Sequence, residues 1–307
     1  MKKEILKQLK HQPDYVSGEA LSQSLGVSRA AISKQVKALR ALGYPIDAQT
    51  NRGYHLGQYD LINQLELELL LEEGDYPLRA EFHETIDSTN RAAKQSETES
   101  LIVALEQTKG RGRRGRDWIS QRGQGLYFSL SLTPALSPQS ISAITQLAGL
   151  CVARTIGEQA LIKWPNDVFI GSYKVCGILT ELITQSDYIE KLIIGIGLNF
   201  QPVSSMDTAT SLAEQGIRLT MLQFLDRFLV EFYQVYPRFL QTPNLQSWLE
   251  EINQRSLLTG RHVRAMGSDI EGMFIGIDAD GQAIVQGRDI HHLSYGEISL
   301  RGVDETT

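Results

Sequence analysis

The chain has 307 residues, 42% of them hydrophobic, with a formal net charge of −6 and only two cysteines. These values exclude a disordered or disulfide-stapled chain and supply apolar material for two or three ordinary domains. Nine Lys or Arg stand against five Asp or Glu in residues 1–60, so that segment carries +4 and the remainder −10; a small basic module on an acidic body suits an N-terminal nucleic-acid binder.

The opening Met1-Lys2-Lys3-Glu4-Ile5-Leu6-Lys7 has charge but no apolar core and does not read as a signal peptide. Lys2 to Lys10 reads as a helix with Ile5, Leu6 and Leu9 on one face. Ser17 is placed to cap a second helix carrying Leu21 and Leu25, and Gly26 supplies the turn. Ser28 caps a third, with Ile32, Val36 and Leu39 inward, which Gly43 ends. This is a helix-turn-helix. Tyr44-Pro45-Ile46 and Gly53 to Leu56 flank Thr50-Asn51-Arg52 as a two-stranded wing. Ser28, Arg29, Ser33, Lys34 and Lys37 are left facing outward on the third helix, where they can reach phosphates and base edges in a major groove. A helix-turn-helix used for protein contact is the alternative. The expected DNA module covers residues 1–60, followed over 61–75 by a linker helix with Leu65, Leu69 and Leu70 as its apolar stripe.

The next region, 76–255, alternates strand and helix signals, as a mixed sheet carrying helices would. Leu101 to Leu105 reads as a buried strand. It leads into Gly110-Arg111-Gly112-Arg113-Arg114-Gly115-Arg116, where four arginines and three glycines share seven residues. Glycine lets backbone approach a ligand closely, and the planar guanidinium suits phosphate and carboxylate oxygens. The run matches the dinucleotide-binding glycine pattern, but that pattern must open a helix. Here Leu126 to Leu132 alternates apolar and polar and reads as a second strand, with no acidic residue near Leu132 to Leu136 to hold a ribose. A P-loop is excluded because no Gly-Lys-Ser/Thr follows. What remains is a strand–loop–strand whose loop folds over a phosphate-bearing ligand; a solvated basic loop, or one touching nucleic acid, is the alternative. Ile141 to Glu158 reads as a buried helix, Leu192 to Leu198 as a central strand, and Thr220 to Tyr236 as an amphipathic helix burying Leu225, Phe228, Leu229, Phe232 and Tyr236. The longest apolar stretch, around Leu192 to Phe200, is too short to span a bilayer, so no membrane is expected.

From about Ser256 short β-like runs take over: His262 to Ala265, Gly272 to Ile277, and Ala283 to Val285 after the turn Asp278-Ala279-Asp280-Gly281. Gly296 to Arg301 closes this all-β unit, 256–307. The six histidines are scattered, and neither Cys151 nor Cys176 has a metal-ligand neighbour. No protein-bound metal is expected, and a reducing cytoplasm is the expected compartment.

Asp87-Ser88-Thr89-Asn90, Gln107, the arginine loop, Lys163-Trp164-Pro165-Asn166-Asp167, Lys174 before Gly177-Ile178-Leu179-Thr180-Glu181, and Gly195-Ile196-Gly197-Leu198-Asn199 occur in this order. In order and spacing the set closely resembles the biotin protein ligases, above all the bifunctional bacterial kind that also represses the biotin operon. The resemblance runs from about Ser17 to Arg301 and includes Gly26 to Lys34 of the helix-turn-helix. It implies an α+β multidomain protein: an N-terminal winged helix-turn-helix, a central mixed-sheet ligase domain of the class II synthetase-like kind, and a C-terminal SH3-like β-barrel.

The resemblance also implies a two-step reaction. Biotin's carboxylate attacks the α-phosphorus of ATP, supplied with Mg2+, and a lysine amine of a biotin carboxyl carrier protein then takes biotin from the adenylate. No enzyme nucleophile is needed, so catalysis rests on placing two anions together and neutralising them. From the residues alone Lys174 is a surface lysine after the Gly171-Ser172-Tyr173 turn; the resemblance makes it the charge between carboxylate and α-phosphate. Lys163 is a second candidate, Asp167 a candidate holder of MgATP, and Arg113 a candidate gate on the intermediate. The resemblance assigns ligand contacts to Ser88, Thr89, Asn90, Gln107, Arg111, Gly112, Arg113 and Lys174. Capping of a helix by Asp87 or Ser88 is the competing role for the first group. Trp118 is a candidate to stack on adenine, with a core tryptophan as the alternative. Ser204 to Leu212 falls where the family has a second adenine-closing loop, but differs in length and composition. Operator DNA and, with adenylate bound, a second copy of the chain are the expected partners. The rivals are a non-catalytic ligand-sensing repressor and a lipoate or octanoate ligase.

Overall fold

The computed structural model describes residues 1–185, 188–202, 208–294 and 299–302, and the chain divides between Tyr76 and Pro77 into two units. The first holds helices α1 (Lys2–Lys10), α2 (Gly18–Leu25) and α3 (Arg29–Ala41), the last two beginning where the sequence offers caps. Ser17 Oγ accepts from Ala20 N at 3.0 Å and Ser28 Oγ from Ala31 N at 3.2 Å. Gly26 closes α2 in the left-handed region at φ 65°, which a side chain at that turn resists. Ile5, Leu6, Leu9, Leu21, Ile32, Val36 and Leu39 form one core, and β1 (Ile46–Gln49) pairs antiparallel with β2 (Gly53–Leu56) as the wing.

The helix after the wing, α4 (Gln64–Glu73), starts three residues later than the expected Leu61, because Asn63 accepts from Glu66 N at 3.0 Å and caps it there. Leu69 joins the core of the first unit with Leu65 packed against it. Glu66 is 1% exposed, which no periodicity signals. It accepts from Tyr44 Oη at 2.9 Å and Tyr59 Oη at 3.0 Å, and pairs with Lys10 Nζ at 2.6 Å. A buried carboxylate persists only when partnered in this way. Burial pushes both phenols above their ordinary range.

The second unit holds a seven-stranded sheet of order β3-β4-β5-β9-β8-β7-β6. Its strands are β3 (Arg79–His83), β4 (Ser100–Ala104), β5 (Gly125–Leu132), β6 (Ala160–Lys163), β7 (Asp167–Ile170), β8 (Tyr173–Gln185) and β9 (Tyr188–Asn199). β3 and β4 run parallel; the other neighbours are antiparallel. Helices α6 (Ile141–Ile156) and α7 (Met221–Gln241) pack together, and Phe128 of β5 meets Phe228 of α7 edge-on at 5.2 Å. Short helix α5 (Thr89–Gln95) packs on β4, β5 and β9. The alternation in β5 therefore does not mark a solvated face. Ser129 and Ser131 are 0% and 1% exposed, bonded to Thr89, Asn90 and the carbonyl of Ala93 in α5.

Helix α7 opens on a reciprocal capping box between Thr220 and Gln223 and continues through Pro237 to Gln241, beyond the expected end at Tyr236. Its buried Phe224, Phe228 and Phe232 stack along one stripe at 6.4 and 5.8 Å. Phe228→Ala is expected to cost about 3–5 kcal/mol, read as a lower urea midpoint. An unchanged midpoint would show that this aromatic column is not the core of the unit.

After α8 (Leu249–Gln254), the strands β10 (His262–Met266), β11 (Glu271–Ile277), β12 (Ala283–Gln286), β13 (Ile290–Leu293) and β14 (Ser299–Gly302) form an antiparallel sheet of order β13-β12-β11-β10-β14. β13, which holds His291 and His292, escaped the apolar pattern because only its end residues are aliphatic. Residues 296–298 of the expected closing strand, and 204–207 of the second loop, lie outside the described residues. Among the described residues no helix is long and apolar enough to cross a membrane.

Candidate active site

The arginine loop leaves and re-enters the sheet through a narrow neck. Gln107 N donates to Ser120 O at 3.0 Å and Trp118 N to Gly110 O at 3.0 Å. A Cβ on Gly110 would lie 2.4 Å from the Trp118 carbonyl, so the neck tolerates no side chain there. At the tip Arg114 and Gly115 both take positive φ, 58° and 73°. The loop has hollow space on both sides, cavities of about 440 and 920 Å³. Beyond the neck Gly112 N donates to Arg116 O at 2.7 Å, which folds the loop back on itself.

The first cavity is the cleft. Ser88, Thr89, Asn90, Gln107, Arg111, Gly112, Arg113, Trp118, Lys163, Asp167 and Lys174 all line it, so residues spread over 87 positions meet in one place. At one end Ser88, Thr89 and Asn90 are 4%, 3% and 6% exposed. Ser88 precedes α5 but its hydroxyl makes no cap bond. Gln107 takes that place, accepting from Thr89 N at 2.8 Å and Thr89 Oγ1 at 3.1 Å while its amide donates to Ser120 Oγ at 2.9 Å. Asn90 is engaged within the protein: Nδ2 donates to Leu179 O at 3.2 Å and Glu181 Oε2 at 2.8 Å, and Oδ1 accepts from Ser129 at 2.6 Å.

At the other end stand the charges. Lys163 and Asp167 face each other across the β6–β7 turn. Lys163 Nζ lies 5.0 Å from the centre of the Phe169 ring. Lys174 Nζ is 2.7 Å from Asp167 Oδ1 and 5.1 Å from the centre of the Trp118 ring. The Lys174–Asp167 contact is an ion pair whose angles miss hydrogen-bond geometry, so Oδ1 is buried and, among the described residues, accepts no hydrogen bond. Arg113 reaches across the cleft from the loop, its Nη1 donating to Asn166 Oδ1 at 3.4 Å. Arg111, Arg114 and Arg116 are exposed around the rim.

Sequence reasoning passed over the floor between the two ends. Gly177 of β8 and Gly197 of β9 are paired in register, and the Trp118 indole lies on them. A Cβ on Gly197 would sit 2.3 Å from Trp118 Nε1, and one on Gly177 2.9 Å from Trp118 Cζ3. The indole N–H is buried and meets no acceptor among the described residues. Two glycines inside adjoining strands were the available signal, since strand-interior glycine marks close approach. Asn166 was also missed, although it stands inside a quoted motif; Nδ2 donates to Ile178 O at 2.7 Å and its carbonyl accepts from Ile178 N at 2.9 Å. Burial pushes the Cys176 thiol up, so it stays protonated and offers no nucleophile.

On the first unit, Arg29, Lys34 and Lys37 of α3 are exposed and Ser33 is half-buried. Ser28 serves as the α3 cap, and Arg29 pairs with Glu19 of α2.

Residues 2–55 match the model of an HTH domain, 82–199 that of the biotin/lipoate A/B protein ligase family, and 259–301 that of the biotin protein ligase C-terminal domain. The bifunctional ligase/repressor BirA of Bacillus subtilis (strain 168) is 31% identical over 293 residues, which span 89% of this chain and 90% of that protein. The chain belongs to the bifunctional biotin ligase/repressor family. The Escherichia coli (strain K12) BirA is 29% identical over 312 residues, 95% of each chain. Among solved structures, the biotin protein ligase from Aquifex aeolicus in complex with biotin and ATP superposes with TM-score 0.63 at 31% identity, covering 73% of this chain and 98% of that one. In this ligase/repressor chain the cleft residues named above lie inside the region matched to the ligase family, and α3 inside the region matched to the HTH domain.

Proposed function

We propose that this chain activates biotin in the central cleft, transfers it to a carrier protein, and represses the biotin operon when the intermediate stays bound. The observation that carries the reading is the two-ended cleft: a neutral polar end at buried Ser88 and Thr89 and half-buried Gln107 faces a cationic end at Lys174, Lys163 and Arg113. The first suits an uncharged ureido ring, the second a carboxylate beside a triphosphate.

A biotin carboxylate oxygen attacks the α-phosphorus of ATP, the bond to the β-phosphate bridge breaks, and pyrophosphate leaves. Lys174 sits between the two anions and Arg113 neutralises charge on the phosphate, while Asp167 orients Lys174 and would be the carboxylate to hold Mg2+ supplied with ATP, which would add charge neutralisation at the phosphates. Trp118 on its glycine floor offers a face to adenine. The neutral amine of one lysine on a biotin carboxyl carrier protein then attacks the acyl carbon. The carbon–oxygen bond to AMP breaks, and the amine loses its proton as the amide forms. The two buried free cysteines fit a reducing cytoplasm.

The test mixes the purified chain with ATP, biotin and a biotin carrier domain. Biotin on the carrier lysine, with AMP and pyrophosphate released, is the expected result. Incorporation of lipoate or octanoate in preference to biotin would transfer the chain to the sister activity; adenylate binding without any transfer would leave a sensing repressor.

For repression, two copies of α3 read half-sites one or more helical turns apart, each turn about 34–36 Å. The dimer forms because adenylate binds it more tightly than the monomer. Lys37→Ala is expected to weaken operator binding about equally across sequences and to reduce the salt slope by about one. An unchanged slope would remove Lys37 from the phosphate contacts.

A further inference from the structure

The turn Asp278–Gly281 joins β11 to β12, two interior strands of the C-terminal sheet. It is built tightly. Asp278 N donates to Gln282 O and Gly281 N to Asp278 O, each at 3.0 Å. Asp278 Oδ1 accepts from Asp280 N at 3.0 Å and Gln282 N at 2.9 Å. At its end the Gly281 carbonyl accepts from Trp164 Nε1 at 3.1 Å. Gly281 takes φ +77°, and a Cβ there would lie 2.7 Å from Ala143 N, so the turn is seated directly on the start of α6.

Trp164 lies between Lys163 and Pro165 in the cleft wall and is 2% exposed. From α6, Gln146 Nε2 donates to Pro165 O at 2.5 Å. The turn therefore touches both supports of this short segment: the Trp164 side chain itself, and the helix that holds the Pro165 carbonyl. Two residues further on stands Asp167, which pairs with Lys174. Among the described residues the polar end of the cleft is bonded to other groups, Ser120, Ser129, Leu179 and Glu181.

We propose that Trp164 is a positioning residue through which the C-terminal module sets the phosphate-binding wall of the cleft. The inference rests on the ligase reading above and adds the route by which a separate module acts on it. The plain alternative is a core tryptophan whose indole N–H happens to be satisfied. Such a residue would affect stability, with both substrates touched alike.

The test uses the full chain with Trp164→Phe, Asp278→Ala and the pair. Trp164→Phe removes the donor while keeping a large ring; Asp278→Ala loosens the turn from its far side, away from the cleft. KM for ATP and for biotin are read by biotin-dependent pyrophosphate exchange. Each single change should raise the ATP KM about fivefold and leave the biotin KM unchanged, and the double should match a single rather than multiply. Separately, hydrogen exchange without substrates should quicken at residues 163–168 in Asp278→Ala. Equal losses for ATP and biotin, multiplying effects, or unaltered exchange at 163–168 would overturn the joint. If the unaltered chain shows no biotin-dependent exchange, the ligase reading falls, while hydrogen exchange still judges the joint on its own.

Discussion

Lys174→Ala is expected to lower biotin-dependent pyrophosphate exchange by about 10²–10³-fold, the scale for removing one preorganised charge from a developing oxyanion. The urea midpoint should also fall, because Asp167 Oδ1 is buried and loses its ion-pair partner, so Lys174→Arg serves as the control that keeps a charge beside it. Lys174→Arg should recover only part of the rate. A planar fork cannot take the place of a compact ammonium held beside Asp167 Oδ1 and over the Trp118 ring. Exchange within twofold of the unaltered chain in Lys174→Ala would take Lys174 out of the chemistry.

The second large effect is loss of containment in Arg113→Gly. Arg113 is the loop side chain that spans the cleft to Asn166, and Asn166 is itself fixed by two bonds to Ile178. Without it the loop is tied down by its neck at Gln107, Gly110, Trp118 and Ser120. A charge-assisted hydrogen bond of about 1.5–3 kcal/mol corresponds to roughly 10–100-fold faster escape of the adenylate. Escaped adenylate acylates whatever amine it meets, so a bystander protein in the mixture should become biotinylated. Retention of the intermediate and labelling confined to the carrier lysine would show that Arg113 does not gate the site.

Both experiments concern residues that the sequence already picked out, Arg113 by local chemistry and Lys174 only through its place in the family's motif order. Ser17, Ser28 and Gly26 announced the helix-turn-helix because a cap or a left-handed turn needs only its own few residues. The stripe Leu225, Phe228, Leu229, Phe232 and Tyr236 announced α7 because helical period is a property of the segment itself. The arginine loop and Lys174 stood out by charge density and motif order. Other features carried no such mark. Ser129 and Ser131 look like a solvated strand face, yet α5 covers them. Glu66 looks like an ordinary helix-surface carboxylate until Lys10, Tyr44 and Tyr59 close around it. Asn90 reads as a ligand contact; it lines the cleft, and its amide is also bonded to Ser129, Leu179 and Glu181, partners no local pattern signals.

The amino-acid order alone determined where most helices and strands begin, the three-part succession of modules, and the pool of cationic and short polar groups available for binding. Caps, turns and periodicities act across one to four residues, so they are written in the segment that obeys them. Only closure of the sheet decided that Gly177 and Gly197 pair to make a floor beneath Trp118, and that Trp164 meets Gly281 across 117 positions. Those contacts depend on which strands become neighbours and which faces are left to bury. The energy that selects them belongs to the packed whole rather than to any one stretch of chain.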